Sequence, residues 1–235
     1  MSELGSSDGA GSVLIVGASR GLGQAMAAEF AERGWRVVGT VRGPGSPLHD
    51  LAAERPDRVE VETLDITDAG AIRRLAERLA GRAFDIVFVN AGIVNSRPSD
   101  TMAEVSTEEF VDVMSTNVLG VMRAAEALGA LARPGGVIGA MSSGQGSIAN
   151  NGNGVNDVYR ASKAALNQAM ASLAGRRPEH AVILMAPGWI RTELGGARAP
   201  VTAEEAMPSI VDVLAAQQGT PGLRFLDREG KTVPW

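Results

Sequence analysis

Short, largely apolar runs recur along this chain, and amphipathic stretches of helical length separate most of them. The runs fall at residues 13–16, 36–41, 59–64, 84–89, 136–141, 181–185 and 223–226. A strand with one wet face alternates polar and apolar residues, whereas a strand covered on both faces does not. Seven such runs therefore predict a parallel sheet with helices on both faces. Right-handed crossovers make that a doubly wound α/β fold. Helices are predicted at 22–32, 68–80, 107–131, 158–173 and 202–216. In the second of these Ile72, Leu75, Ala76 and Leu79 share a face, and Asp68 is placed to cap it.

No repeat and no Pro-rich or charged linker divides the chain, so 12–235 reads as one domain. Residues 1–11 are Ser, Gly and Ala with two acids, and read as a disordered N-terminal tail. They lack the basic and apolar regions of a signal peptide, and no apolar run reaches membrane length. A cytoplasmic protein is expected. Residues 43–57, 92–105 and 144–156 are read as loops, and 193–208 as a substrate loop.

Composition removes several chemistries. There is no Cys, so no disulfide, thiolate metal site or Cys nucleophile. His49 and His180 are the only histidines, too few for a multi-His metal centre, and no metal is expected. Both read as ordinary structural residues. A net charge of −5 gives no pull toward nucleic acid or an acidic membrane.

Gly17, Gly21 and Gly23 lie between the first apolar run and the first helix, with Ser19, Arg20 and Leu22 among them. Small residues there let the backbone approach a pyrophosphate, and the helix N-terminus offers N–H groups to the anion. The second strand ends in Arg42, where a site for the unphosphorylated ribose would place an acid. Arg42 and Arg20 suit a 2′-phosphate, which predicts NADP(H) over NAD(H).

Tyr159 is the sole tyrosine, and Lys163 is one of only two lysines beside twenty arginines. Four residues apart on a helix, they share a face. A nearby ammonium favours the phenolate, which would make the phenol a usable acid–base group. Ser143, after the fifth run, is placed to bind a substrate oxygen, with Ser142 and Ser147 as alternatives. Asn117 is poorly suited to a helix interior, where it would hold a water or disturb backbone bonding.

Together these residues resemble the classical short-chain dehydrogenase/reductase family. Gly17-x-x-x-Gly21-x-Gly23 is similar to its cofactor loop, and Asp65-Ile66 to its adenine-contacting segment. Asn90-Ala91-Gly92 resembles its N-A-G motif, and Pro187-Gly188-Trp189-Ile190-Arg191-Thr192 its P-G segment, whose Thr touches the nicotinamide. Asn117, Ser143, Tyr159 and Lys163 fall where the family has its catalytic tetrad. A narrower likeness, to the C-factor and sniffer-like carbonyl reductases, runs through residues 159–167 and the ending Phe225-Leu226-Asp227 … Pro234-Trp235.

The resemblance implies a Rossmann fold with strand order 3-2-1-4-5-6-7. It also implies an NADPH-dependent oxidoreductase acting on a carbonyl or alcohol of a small, largely apolar molecule. Cofactor contacts are expected from Gly17, Ser19, Arg20, Gly21, Leu22, Gly23, Arg42, Asp65, Ile66, Asn90, Ala91, Gly92, Tyr159, Lys163, Pro187, Gly188, Trp189, Ile190 and Thr192. Val94, Ser147, Ile148, Trp189 and Leu194 are expected near the substrate. A homodimer through 107–131 and 158–175, or a tetramer, is implied as well. The rival readings are an NADP(H)-binding regulatory or signalling protein with little turnover, and a dehydratase, epimerase or enoyl reductase on the same scaffold.

Overall fold

The computed structural model describes residues 11–235; the tail read at 1–11 lies outside it except for Gly11. In chain order the elements are β1 (Ser12–Val16), α1 (Gly21–Glu32), β2 (Arg36–Val41), α2 (Pro47–Glu54), β3 (Val59–Thr63), α3 (Ala69–Arg78) and β4 (Phe84–Val89). Next come α4 (Thr107–Met114), α5 (Val121–Gly129), β5 (Ala132–Met141), α6 (Asp157–Arg176) and β6 (Ala181–Ala186). The chain closes with β7 (Ile190–Arg191), β8 (Val201–Thr202), α7 (Ala203–Ala215) and β9 (Gly222–Asp227).

Seven strands form one sheet in the order β3-β2-β1-β4-β5-β6-β9, all parallel. This is the doubly wound Rossmann arrangement; its last strand is ninth in the chain only because β7 and β8 pair separately. Side chains leave a strand on alternate faces. Val13 and Ile15 of β1 thus enter the layer under α1 and α7, with Met26, Phe30, Ile210 and Leu214. Leu14 and Val16 enter the opposite layer, with Ile72, Leu75, Leu128, Leu166 and Met170. Burying each such side chain stabilises the fold by about 1.5–3 kcal/mol, and it is this double cover that makes the central strands β1, β4 and β6 almost wholly apolar, whereas the edge strand β3 carries glutamates.

The structure corrects four boundaries. Residues 43–57 are not all loop: α2 starts at Pro47, with Ser46 and His49 forming a reciprocal cap. Leu48 is the one fully buried residue of that helix, and Leu51 and Ala52 pack partly buried against the same core layer, a stripe barely two turns long. The helix expected over 107–131 loosens into a π-helical turn at Ser115–Gly120, around Asn117. β5 begins at Ala132, before an irregularity in its pairing with β4, rather than at 136. The 193–208 stretch is a turn followed by β8 and the start of α7. Two expected caps are present: Asp68 accepts from the N–H groups of Gly70 and Ala71, and Gly34, with φ of 82°, follows the end of α1.

Candidate active site

All strands point the same way, so the loops after β1, β4, β5 and β6 collect at the carboxyl edge of the sheet. The glycine loop after β1 is locked to the loop after β4. Asn90 donates from its side chain to the Gly17 carbonyl at 2.8 Å, and Ala91 N–H donates to the Val16 carbonyl at 3.0 Å. A Cβ on Gly23 would come within 2.0 Å of the Gly17 oxygen. Gly17 itself has φ of 91°, a left-handed value that disfavours other residues. The start of α1 therefore comes close to the loop backbone, and Arg20 at its N-cap adds no side-chain cap. No side chain at the N-cap takes up the first-turn N–H groups, the kind of helix end that can bind an anion.

Arg20 forms an ion pair with Glu193, across from the glycine loop. Thr192, beside Glu193, lies against Gly21: a Cβ there would stand 3.6 Å from the threonine methyl. Arg42 is exposed at the end of β2. Asp65 accepts from the N–H and hydroxyl of Thr67, which hold its carboxyl below the usual range, and the charge of Arg42 adds to this.

The four residues of the expected tetrad do not form one chain of bonds; they are linked pairwise, Ser143 to Tyr159, Tyr159 to Lys163, and Lys163 to Asn117 through Gly92. The Ser143 hydroxyl lies near enough to the Tyr159 phenol to act on its pKa. The Lys163 amine is buried 5.6 Å from the centre of the Tyr159 ring and donates to the Met141 carbonyl at 2.8 Å. A Cβ on Gly92 would touch both the Lys163 amine, at 3.3 Å, and the Asn117 oxygen, at 3.4 Å.

One sequence expectation changes here. The Tyr159 pKa is not lowered: burial pushes it up to about 12, and only the nearby Ser143 hydroxyl works the other way. Burial also brings Lys163 down to about 8. The Asn117 carboxamide, expected to hold a water or disturb backbone bonding, is engaged with protein in a π-helical turn. Its oxygen accepts from Ile93 N–H at 2.8 Å, and its nitrogen donates to the Ile93 carbonyl at 2.8 Å and to Ser162 Oγ at 3.0 Å. The π-helical turn that carries Asn117 brings it to this extended backbone.

Among the alternative hydroxyls, Ser142 is buried and donates to Asn167 at 2.6 Å. Ser147 accepts from Asn150 N–H at 3.1 Å. Ser143 is the one near the phenol. Val94, Ile148, Trp189 and Leu194 stand on the loops after β4, β5 and β6, and Ile148, Trp189 and Leu194 are well exposed. Trp189 is held by a bond from its indole N–H to the Gly195 carbonyl. Ser162 and Asn167 were not read as site residues. Their signal was helical spacing: Asn167 continues the Tyr159–Lys163 face at four-residue steps, and Ser162 lies three residues after Tyr159.

Residues 12–201 match the short chain dehydrogenase family. The chain belongs to it. Its structure superposes with a TM-score of 0.94 on a short-chain dehydrogenase/reductase from Burkholderia multivorans solved with bound NADP. That protein is 56% identical, and the match covers 96% of this chain and 99% of that one. A carbonyl reductase from Pseudomonas aeruginosa PAO1 in complex with NADP is 37% identical, with a TM-score of 0.88 over 96% and 99% of the two chains. C-signal of Myxococcus xanthus is 31% identical over 172 residues, 70% of this chain and all of that one. Among the described residues of this short-chain dehydrogenase no helix is long and apolar enough to cross a membrane.

Proposed function

We propose that this short-chain dehydrogenase is an NADP(H)-dependent reductase that converts the carbonyl of a small, largely apolar molecule to an alcohol. The observation that carries this reading is the buried Lys163 amine, 5.6 Å from the centre of the Tyr159 ring and beside the Gly92 backbone, with Ser143 near the phenol. The residues fit a dinucleotide phosphate: the glycine cradle admits no side chain at Gly23, and the α1 N-terminus is open to an anion. The NADP held by the Burkholderia and Pseudomonas relatives supports that choice, and exposed Arg20 and Arg42 supply the basic groups a 2′-phosphate attracts.

When bound, NADPH supplies the hydride. The chain's own residues do the rest. Ser143 holds the substrate oxygen beside the phenol. Tyr159, whose raised pKa keeps it protonated at neutral pH, gives its proton to that oxygen. Lys163 offers its ammonium toward the ribose hydroxyls. Asn117 fixes Ile93 and so the backbone next to Lys163. Self-association through α4, α5 and α6 belongs to the same proposal; Val111 and Leu119 are exposed on the first part of this surface.

A second reading, a nucleotide-binding signalling protein without turnover, draws on the likeness to C-signal. NADPH consumption with a panel of ketones, aldehydes and quinones separates the two. Turnover supports the reductase; tight NADPH binding with no turnover across the panel supports the second reading.

A further inference from the structure

The segment after β9 reaches back to both sides of the proposed site. The Asp227 carboxylate accepts from the N–H groups of Glu229 and Lys231, each at 2.9 Å, and so closes a tight turn. The returning chain pairs antiparallel, with Thr232 opposite Leu226. Val233 N–H donates to the Phe225 carbonyl at 2.8 Å, and its side chain is buried in the layer under α3, α5 and α6. The Trp235 ring then rests on Phe225, with ring centres 5.4 Å apart.

Two contacts leave this anchored hairpin. The Trp235 main-chain oxygen accepts from Ala149 N–H at 3.0 Å and from the Ser147 hydroxyl at 3.5 Å. Those residues directly follow the turn that begins at Ser143. From the other end of the hairpin, Arg228 Nη1 donates to the Pro187 carbonyl at 3.2 Å. It stands so close to Gly188 that a Cβ there would come within 2.7 Å of it. Pro187-Gly188 leads into Trp189 and Thr192 on the opposite side of the crevice.

We propose that the 227–235 hairpin is a positioning element for the active site. Trp235 sets the 147–149 wall on the substrate side, and Arg228 sets the Pro187-Gly188 turn on the nucleotide side. Loops of this kind have few bonds of their own, and a misplacement of about 1 Å is enough to cost rate. A hairpin rooted in the core through Val233 gives both loops a fixed reference. The assignment rests on the reductase reading for its kinetic part only.

The test uses Trp235→Ala, Trp235→Phe, Arg228→Met and Arg228→Lys, with amide exchange, NADPH titration and steady-state kinetics. In Trp235→Ala, exchange at 147–150 accelerates about tenfold and KM for the carbonyl substrate rises about tenfold, while NADPH affinity holds within about twofold. Trp235→Phe keeps a ring on Phe225 and restores both. In Arg228→Met, NADPH affinity falls about fivefold with exchange at 147–150 unchanged, and Arg228→Lys recovers most of it.

Wild-type exchange in Trp235→Ala together with wild-type NADPH affinity in Arg228→Met overturns the proposal. Should Trp235→Ala lose its cooperative fold, Ala149→Pro removes the same bond from the other side. It reproduces the KM rise if the proposal holds and leaves KM unchanged if it fails. Absence of any carbonyl turnover in the wild type defeats the reductase reading, but the exchange and NADPH titrations still decide the hairpin's role.

Discussion

Arg20 and Glu193 lie 173 residues apart in sequence, yet their side chains pair across the mouth of the crevice, joining the glycine loop to the turn after β7. Both are more than half exposed, at 61% and 72%, so the pair is screened and easily exchanged for another anion. A nucleotide phosphate competes with Glu193 for the same guanidinium. Glu193→Gln is therefore expected to tighten NADP(H) binding about threefold. Arg20→Ala weakens NADPH about tenfold and NADH much less. Fluorescence titration with both nucleotides reads each change; equal losses for NADPH and NADH would remove Arg20 from the 2′-phosphate.

The pH dependence follows from Tyr159 and Lys163. A phenol pushed up to about 12 stays protonated through the neutral range, so it is ready to donate in reduction. Lys163 gives up its proton from about 8 upward. The kcat/KM for NADPH is expected to be flat from pH 6 to about 8 and to fall above it. Alcohol oxidation, which needs the phenolate, rises with pH instead. Rate profiles in both directions check this.

Burial of the Lys163 ammonium has a stability cost. The unfolded chain keeps that proton to about 10.5, the folded chain only to about 8. Between those values unfolding takes up a proton, so stability rises with pH across that window and the full cost is carried below it. Lys163→Met should thus be more stable than wild type by ~3 kcal/mol at pH 7, with the gap closing near pH 10.5. The same variant loses its turnover. Denaturant midpoints at the two pH values measure the gap.

Asn117→Ala strips Ile93 of partners for both its N–H and its carbonyl, and leaves Ser162 Oγ without a donor. Unmade bonds of this kind cost about 1–3 kcal/mol each when buried. A loss of about 2–4 kcal/mol in denaturant unfolding is expected, with NADPH affinity reduced because Gly92 and Lys163 shift together. Stability equal to wild type would show that Asn117 does not hold this backbone.

The sheet was legible because most of its strands are covered on both faces: the run 13–16 is apolar at every position, and 84–89 at every position but Asp85. Helix α2 was not, since it is eight residues long and its apolar face is only Leu48, Leu51 and Ala52. β7 and β8, two residues each, carry no periodicity to detect. In the site, Tyr159 and Lys163 stood out through scarcity and spacing. The partners Met141 and Ile93 were unreadable because they act through backbone groups, which any side chain can present. Burial explains the error over Tyr159: spacing brings an ammonium within reach, but only the fold says how dry the phenol is.

The most direct check is NADPH oxidation by wild type and Tyr159→Phe on a carbonyl substrate found in the panel, with NADPH affinity measured in parallel. The phenyl ring keeps its packing and loses only the hydroxyl near Ser143. Turnover falls by a factor of about 10² or more while NADPH affinity holds within about threefold. Turnover in Tyr159→Phe equal to that of the wild type would contradict the assignment of Tyr159 as the proton donor.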